Sequence, residues 1–361
     1  MKHKIVVIGG YGQVGQVVCR RLGGLFPGKV YAAGRSLGKA EAFASSTGGA
    51  VLPLRMDVHA SLDASFPDET ALIVMCMDQE DTGFVEQCLA NGIHYIDLSA
   101  SYRFLSKVRS LGTKGLASRS VSVLSVGLAP GLTNLLAKQC AEELDEVRGL
   151  DLFLMLGLGD RHGKAAIEWM VDHLNVSFPV REGGLDIEAV SFSDGLTTSF
   201  PGKTGRRRTY RFPFADQRVV PDTLGIDTAS TRICFDSVWA TETIARLRKL
   251  GALRVLRHRA ARGMVVGLFR KLRLGSDACV AKASAEGTIG GREIRFECSI
   301  QGRREFEITG EIAAFVAQSL YTREYRPGVY HIEELFRPMA VIEALGDLVA
   351  FEQKTSLAHR P

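Results

Sequence analysis

The sequence lacks the features that would anchor, export or cross-link the protein. Seven cysteines are spread over 361 residues with no C-x-x-C pair or Cys/His cluster, which predicts free thiols in a reducing cytoplasm and no metal site. The longest apolar run, residues 71–77, is far shorter than the roughly 20 residues of a membrane helix. The apolar run after the first four residues is also too short for a signal peptide. We therefore expect a cytoplasmic protein without a transmembrane segment.

A large excess of one charge is also missing. Lys and Arg outnumber Asp and Glu by 45 to 40, which gives no indication of nucleic-acid binding and suits an anionic small molecule. With 46% hydrophobic and 24% charged residues, the composition is that of a globular protein, so disordered and collagen-like chains are excluded. The length leaves room for two domains, as in an enzyme with a small-molecule substrate.

Two segments are nevertheless strongly basic. They are residues 203–211 and residues 246–273, and the second holds ten Lys or Arg and no Asp or Glu. A solvated face accounts for such a segment, and an anionic partner such as an acidic protein or a lipid headgroup is the alternative. The apolar residues 263–269 also leave a peripheral membrane contact open.

The first third of the chain alternates short apolar runs with helical segments, as βαβ units do. Such a pattern predicts an α/β fold with a doubly wound parallel sheet, a Rossmann domain, over residues 1–126. The predicted strands are 5–8, 30–33, 50–54, 72–76, 94–97 and 121–125.

The remaining chain follows a different pattern. A strand is predicted at 150–156, and period-2 alternation from 279 to 308, interrupted by Gly290-Gly291 and by Gly302, predicts an antiparallel meander. Helices are expected from 311 to about 320 and from 332 to 345. We therefore predict an α+β substrate and dimerisation domain with a mainly antiparallel sheet over 127–331, and a helical segment, 332–361, that could pack back on the first domain.

A glycine-rich motif near the N-terminus points to a dinucleotide. Gly10, Gly12 and Gly15 form G-x-G-x-x-G between a predicted strand and a predicted helix. The first glycine permits the turn, the second lets the backbone approach a pyrophosphate, and the third lets helix pack on strand, while the helix N-terminus offers free N–H groups. The predicted cofactor-binding residues are Gly10, Tyr11, Gly12, Gln13, Val14 and Gly15.

The end of the second predicted strand indicates which dinucleotide binds. An NAD site has Asp or Glu about 20 residues after the last glycine, but here the sequence is Gly34-Arg35-Ser36. An arginine can form charge-assisted hydrogen bonds with the 2′-phosphate of NADP(H), with Ser36 and Lys39 nearby. We therefore predict NADP(H). Two further cofactor contacts are expected at Asp57, for which a structural turn is an equal alternative, and at Cys76.

Several segments together resemble the saccharopine dehydrogenase family. They are GGYGQVG at 9–15, AGRSLGKA at 33–40, MDV at 56–58, GIHYIDLS at 92–99 and GLAPGLTN at 127–134, in matching order and spacing. The resemblance implies hydride transfer between NADP(H) and a carboxylated secondary amine or imine, a homodimer, and a nicotinamide close to Ser99 and Pro130. The family usually has an acidic residue where this chain has Ala129. This difference leaves open a reductase of another carbonyl or alkene, whose substrate could be linked to a carrier or a lipid.

Candidate substrate and catalytic residues follow from this chemistry. Hydride transfer to an imine depends more on positioning than on one side chain. An arginine suits a substrate carboxylate, and a histidine or tyrosine can supply a proton. We predict Tyr102 and His162 as catalytic residues, and Arg161, Arg232, Glu168 and Trp169 as substrate-binding residues. A non-catalytic NADPH sensor remains the alternative to an enzyme.

Overall fold

A computed structural model describes residues 2–60, 65–160, 163–271 and 275–357. Its helices are α1 (Gln13–Leu25), α2 (Leu37–Ser45), α3 (Phe66–Glu69), α4 (Gly83–Ala90), α5 (Tyr102–Thr113), α6 (Thr133–Glu142), α7 (Lys164–Asp172), α8 (Asp216–Leu224), α9 (Val238–Lys249), α10 (Arg259–Lys271), α11 (Glu305–Thr322), α12 (Ile332–Leu335) and α13 (Pro338–Leu345). Its strands are β1 (Lys4–Ile8), β2 (Val30–Gly34), β3 (Val51–Arg55), β4 (Thr70–Met75), β5 (His94–Asp97), β6 (Val121–Leu124), β7 (Glu146–Leu156), β8 (Ser177–Glu182), β9 (Leu185–Val190), β10 (Leu196–Phe200), β11 (Gly205–Arg211), β12 (Ala229–Phe235), β13 (Ala278–Ile289), β14 (Arg292–Arg303), β15 (Gly328–His331) and β16 (Val349–Leu357).

The chain divides into two compact units. Unit 1 consists of Met1–Gly131 and Phe306–Phe336, and unit 2 of Leu132–Glu305 and Arg337–Pro361. This division differs from the predicted boundaries at 126 and 331, because the chain leaves unit 1 and later returns to it.

Unit 1 is built on a parallel sheet. Among the described residues the strand order is β15-β6-β5-β4-β1-β2-β3. The six strands predicted from the sequence correspond to β1 to β6, and each of their ends lies within two residues of the predicted one. Continuous apolar runs such as Val6-Val7 and Ile73-Val74 are fully buried, as expected for strands covered on both faces. The predicted Rossmann fold is therefore confirmed.

The strand β15 at the sheet edge was not predicted. It pairs in parallel with β6, with Gly328 opposite Val121. The preceding helix α11 packs closely on α1, since a Cβ atom at Gly310 would lie 2.6 Å from Cβ of Val17. Arg109 of α5 holds Glu334 of α12 with two hydrogen bonds of 2.7 and 2.8 Å. Residues 306–336 therefore complete unit 1.

Unit 2 contains a mixed sheet in the order β10-β11-β12-β7-β13-β14-β16, and beside it β8 pairs with β12 and β9 pairs with β8. The pair β7–β12 is parallel and the other pairs along the sheet are antiparallel, so the mainly antiparallel sheet is confirmed. β13 and β14 form the predicted hairpin, with Gly290 and Gly291 at φ of 55° and 75° in its turn.

Two predictions about the C-terminal part of the chain are wrong. Gly302 lies within β14 opposite Cys279, and the chain leaves the strand at Arg304, which has a φ of +57°, so α11 begins at Glu305 and not at 311. The closing segment is also not wholly helical. Pro338 at the start of α13 disfavours helix in the residue before it, and the chain ends in strand β16, which extends the sheet of unit 2.

No disulfide bond links the cysteines. All seven cysteines are free, and six of them are buried. Within the described part of the chain, every helix is too short or too polar to cross a lipid bilayer.

Candidate cofactor site

The glycine motif forms a tight turn between β1 and α1. Gly9 has a φ of +75°, and its carbonyl accepts a hydrogen bond of 2.8 Å from the Gly12 amide. A Cβ atom at Gly10 would lie 2.7 Å from Cα of Ala32 on β2, and one at Gly15 would collide with the Gly9 carbonyl. Only glycine therefore fits at positions 10 and 15, where the predicted roles are the tight turn for Gly10 and the packing of helix on strand for Gly15.

The N-terminus of α1 is open to a ligand. Its N-cap is Gly12, which is exposed and offers no side-chain cap, so the first N–H groups of the helix have no intrahelical acceptor. Gln13 adds a buried Oε1 atom that has no hydrogen-bond partner among the described residues. A pyrophosphate at this helix end would accept from these N–H groups and benefit from the helix dipole. The half-buried Val14 lies in the same first turn.

Tyr11 connects this turn to the end of β2. A Cβ atom at Gly34 would lie 2.5 Å from the Tyr11 hydroxyl oxygen, so the phenol occupies the space that a side chain would fill. The same hydroxyl accepts a hydrogen bond of 3.2 Å from the Ser36 backbone N–H. Tyr11 and Ser36, both predicted cofactor residues, are thus in contact.

The β2–α2 loop is positively charged. Arg35 is exposed at its start, and Lys39 is exposed in the first turn of α2. Ser36 is the N-cap of α2 without a side-chain cap bond, and the first helical turn has no acidic residue. Two cations and the N-terminus of a nine-residue helix therefore lie together where the predicted 2′-phosphate would bind.

Asp57 and Cys76 have less specific surroundings. Asp57 is exposed after β3, and its Oδ1 accepts a hydrogen bond of 3.1 Å from the His59 N–H, as in a turn. Cys76 follows β4, and burial, with a smaller contribution from Asp97, raises the pKa of its thiol to about 12. A thiol with this pKa stays protonated at neutral pH and is a poor nucleophile.

A buried polar cluster at the end of β5 was not predicted. Asp97 is fully buried, and its Oδ2 accepts a hydrogen bond of 2.5 Å from the Tyr95 hydroxyl, while Gln79 donates to that hydroxyl at 2.6 Å. The Asp97 Oδ1 accepts from the Ser99 N–H at 2.7 Å. Burial raises the pKa of Asp97 to about 7, against the effect of these hydrogen bonds. The only signal in the sequence was an aspartate at a strand end.

Asp97 holds the loop that carries two predicted site residues. Ser99 is buried and receives a hydrogen bond from Ser101 at 3.2 Å. Ser101 caps α5 through the Phe104 N–H, and Tyr102 is the first residue of that helix and half-buried. The Asp97 carbonyl also accepts from Val126 N–H at 3.2 Å, next to the loop in which Pro130 is buried with a cis peptide bond.

A buried serine and histidine lie nearby in unit 1. The Ser125 hydroxyl and Nδ1 of His331 are 2.8 Å apart. Burial lowers the pKa of His331 to about 3, so its imidazole is neutral. The Glu334 side chain accepts from the His331 N–H at 2.7 Å and caps α12. This pair fixes β15 to β6.

The predicted substrate residues that the structure describes lie in unit 2. Arg232 of β12 is buried and forms ion pairs with Asp194 at 2.8 Å and with Asp151 at 3.6 Å. Its guanidinium also donates to the Asp194 carbonyl. Substrate binding by Arg232 stays a prediction, and it would require a carboxylate that competes with these partners.

Glu168 and Trp169, which are also predicted to bind substrate, lie on α7. Trp169 stacks on His173 with ring centroids 4.4 Å apart and also contacts Phe214 at 5.2 Å, so it belongs to an aromatic cluster. Glu168 is half-buried beside it. Arg161 and His162 lie outside the described residues. No group of three or more potential metal ligands occurs within the described ranges.

The cofactor site fits NADP(H) on the evidence of unit 1 alone. The glycine turn leaves no room for a Cβ atom at two positions, the N-terminus of α1 has no side-chain cap, and two cations lie at the next helix N-terminus. These are the features that a pyrophosphate and a 2′-phosphate require.

Comparison with known proteins agrees with this geometry. Residues 5–120 match the family model described as "Saccharopine dehydrogenase NADP binding domain". Apo saccharopine dehydrogenase (L-Glu forming) from Saccharomyces cerevisiae has a similar structure, with a TM-score of 0.73 and 14% identity over 98% of this chain and 100% of that one. No curated protein matches the sequence significantly.

More distant structures are also similar. Diaminopimelate dehydrogenase from C. glutamicum, in complex with its ligand, has a TM-score of 0.41 and 12% identity over 96% of this chain and 98% of that one. An engineered D-amino acid dehydrogenase bound to NADP+ has a TM-score of 0.42 and 12% identity over 94% of this chain and 96% of that one. Likenesses this distant have no bearing on function.

The fold and the cofactor site define the class of the protein, an NADP-binding oxidoreductase. Within that class the chain is similar to saccharopine dehydrogenases, in sequence over residues 5–120 and in fold over nearly its whole length. The predicted resemblance and the predicted NADP cofactor are both confirmed.

Proposed function

We propose that the protein transfers hydride between NADP(H) and a carboxylated secondary amine or imine. The observation that carries the proposal is the family match of residues 5–120, which coincides with the glycine turn and the basic β2–α2 loop. In the reductive direction an imine, NADPH and a proton give a secondary amine and NADP+. The bound cofactor supplies the hydride, and the protein supplies position.

The roles of individual residues are part of this proposal. Ser99 and Pro130 lie near the nicotinamide, and Tyr102, at the start of α5, is a proton donor together with His162. Arg161 and Arg232 bind the substrate carboxylate, with Glu168 and Trp169 lining the pocket. Asp97 acts through Ser99 as a positioning residue, because it fixes the Ser99 N–H at 2.7 Å.

The test is NADPH oxidation with mixtures of primary amines and 2-oxo acids, followed at the nicotinamide absorbance. We expect turnover that needs both components, since neither alone forms an imine. An amine substrate with NADP+ should run the reverse reaction. NADPH binding without turnover of any mixture would contradict the proposed reaction and favour a non-catalytic NADPH sensor.

A reductase of another carbonyl or alkene, on a carrier or a lipid, is the second candidate. Ala129 is half-buried and directly precedes Pro130, and its methyl group cannot interact with a substrate ammonium as a carboxylate would. Carbonyl compounds and alkenes without an amine belong in the same assay. Oxidation of NADPH by one of these alone would favour this candidate.

We also propose that the protein is a cytoplasmic homodimer. Free, buried cysteines suit a reducing compartment. Light scattering on the purified chain would test the dimer, and a monomer at working concentrations would contradict it. Fractionation of cells that express the chain would test the compartment.

A further inference from the structure

One segment of unit 2 exposes large apolar side chains among basic ones. It consists of α9, the short helix Ala252–Arg257 and α10, and we call it the basic helical segment. Trp239 is 76% exposed, Leu250 80% and Met264 76%. Large apolar side chains exposed along one segment suggest a surface that contacts a partner.

Exposed apolar residues and exposed cations both occur along the basic helical segment. Trp239 and Arg246 of α9 and Leu250, the C-cap of that helix, are spaced by seven and four residues, which places them on one face, and all three are exposed. On α10, Met264 and Leu268 are four residues apart and exposed. Arg254 and Arg257 are exposed in the short helix between them.

The charge of this segment is almost entirely positive, with Glu242 of α9 as its one acidic residue. Residues 243–274 contain no Asp or Glu, and ten of the 45 Lys and Arg lie between 246 and 273. Without these ten, the acidic residues of the chain would outnumber the basic ones. A second copy of this face would bring like charges together, so a dimer through it is disfavoured.

The inner face of α10 is fixed by packing and by an ion pair. Val266 is buried against Ile167 and Val171 of α7. Arg262 holds Asp172 of α7 with two hydrogen bonds of 2.5 and 2.7 Å. Met264 and Leu268 therefore point away from a packed face and do not take part in the core.

A basic pocket lies beside α9. It has a volume of about 220 Å³, and its charged lining consists of Arg208, Arg246, Arg248 and Lys249 with the carboxylates of Asp194 and Glu242. Asp194 is already paired with Arg211 and Arg232, and Glu242 accepts from the Tyr210 hydroxyl, so the four cations outnumber the carboxylates. None of these four takes part in an ion pair with another described residue. Tyr210 lines the same pocket, with the Arg208 guanidinium 5.6 Å from its ring centroid. Such a pocket can accept a phosphate group.

We propose that the basic helical segment docks on the surface of a membrane that contains anionic phospholipids. The apolar side chains would enter the region between headgroups and acyl chains, the arginines would lie at the headgroup phosphates, and the pocket beside α9 would take one headgroup. A nucleic acid would match the charge but would leave Leu250, Met264 and Leu268 without apolar partners. This inference is independent of the reaction that the enzyme catalyses.

Vesicle binding by the full-length protein tests the proposal. We expect co-sedimentation with phosphatidylcholine vesicles that contain phosphatidylglycerol, little binding to pure phosphatidylcholine, and weaker binding as salt is added. Equal binding to neutral and anionic vesicles, or none to either, would overturn the proposal. Partial competition by free glycerol phosphate would show that the pocket also takes a headgroup outside a membrane. Complete release of the protein from the vesicles by glycerol phosphate would overturn the membrane surface as partner.

Charge variants provide a matched comparison. Arg254→Glu/Arg257→Glu should weaken binding to anionic vesicles by about tenfold or more. The control Arg292→Glu/Arg323→Glu makes the same change in net charge at exposed arginines outside the segment, and we expect a much smaller effect. Similar losses in both double variants would reduce the interaction to net charge and contradict a specific docking face.

Apolar variants and fluorescence test insertion. Leu250→Gln should weaken vesicle binding, whereas Leu185→Gln, at a leucine 71% exposed outside the segment, should not. The chain has two tryptophans, so Trp169→Phe leaves Trp239 as the only reporter. We expect the Trp239 emission to shift to shorter wavelength on anionic vesicles. The single variant Trp239→Phe, which keeps Trp169, should show no shift. Vesicle binding without any shift would contradict insertion of the segment.

Discussion

Arg35 is exposed directly after β2. An NAD-binding site has an Asp or Glu at this position, and the arginine here means that no such carboxylate favours NADH. We expect Arg35→Ala to weaken NADPH binding by about 10- to 100-fold, because a charge-assisted bond of about 1.5–3 kcal/mol is lost. NADH binding should change little. Titration of both nucleotides on wild type and variant measures the effect.

The control for this variant is Arg55→Ala, which removes an exposed arginine at the end of the neighbouring strand β3. If Arg35→Ala weakens NADH and NADPH equally, the guanidinium does not recognise the 2′-phosphate. If both variants reduce NADPH binding alike, the effect is one of general charge.

Asp97 illustrates a residue whose environment sets its chemistry. Its pKa is about 7 in the folded protein and about 3.9 in an unfolded chain. The folded state therefore holds the proton more tightly, and the free energy of unfolding falls as pH rises from about 4 to about 7. The loss is on the order of a few kcal/mol over this range.

His331 acts in the opposite direction over most of this range. Its pKa of about 3 in the folded protein lies below the unfolded value, so it stabilises the fold above about pH 6.5 and this stability is lost as pH falls towards 3. Between about pH 6.5 and pH 8 the contribution of Asp97 can therefore be measured without that of His331.

Asp97→Asn tests this assignment. The amide cannot ionise, so the variant should lose less stability than wild type between about pH 6.5 and pH 8. Urea unfolding of both proteins at several pH values measures the two slopes. Parallel slopes would mean that Asp97 does not titrate in this range.

At the scale of elements, Tyr11 links the glycine turn to the β2–α2 loop. Its hydroxyl accepts the Ser36 N–H at 3.2 Å, a donor that a 2′-phosphate could use. Tyr11→Phe keeps the ring over Gly34 and removes this acceptor, which should destabilise the free protein by about 1 kcal/mol. NADPH can replace the lost acceptor, so it should raise the Tm of the variant more than that of wild type, whereas NADH should not.

Thermal unfolding with each nucleotide measures this difference. The variant Tyr31→Phe is the control, since Tyr31 lies within β2 and is half-buried. Equal shifts by NADPH and NADH in Tyr11→Phe would contradict a role of the Ser36 N–H in binding the 2′-phosphate.

The elements of unit 1 differ in how well their sequence specifies them. The strands β1 to β6 are continuous apolar runs between helical segments, so local pattern alone locates them. β15 has four residues, Gly-Val-Tyr-His, too few for any periodicity to show. It is a strand because β6 has an unpaired edge and α11 brings the chain there.

At the scale of the whole molecule, unit 1 is assembled from two distant parts of the chain. Without residues 306–336, the buried strand β6 becomes an edge and the face of α1 at Val17 loses its contact with Gly310. Exposed strand edges promote aggregation. We therefore expect the fragment 1–131 to aggregate or to unfold at low urea, and not to bind NADPH.

A fragment that joins 1–131 to 306–336 through a flexible Gly/Ser linker should unfold cooperatively and bind NADPH. Circular dichroism in urea and nucleotide titration compare the two fragments. Stable folding and NADPH binding by 1–131 alone would show that the returning segment is dispensable.

The sequence by itself determined the Rossmann strands, the glycine turn and the NADP preference. These depend on residues close together in the chain, whose periodicity and steric needs appear locally. Only the tertiary structure decided that Asp97 is buried with a raised pKa, that Arg232 is held by Asp194 and Asp151, and that the chain returns to complete unit 1. Burial, ion pairing and strand pairing join residues that are far apart in sequence, so no local sequence pattern predicts them.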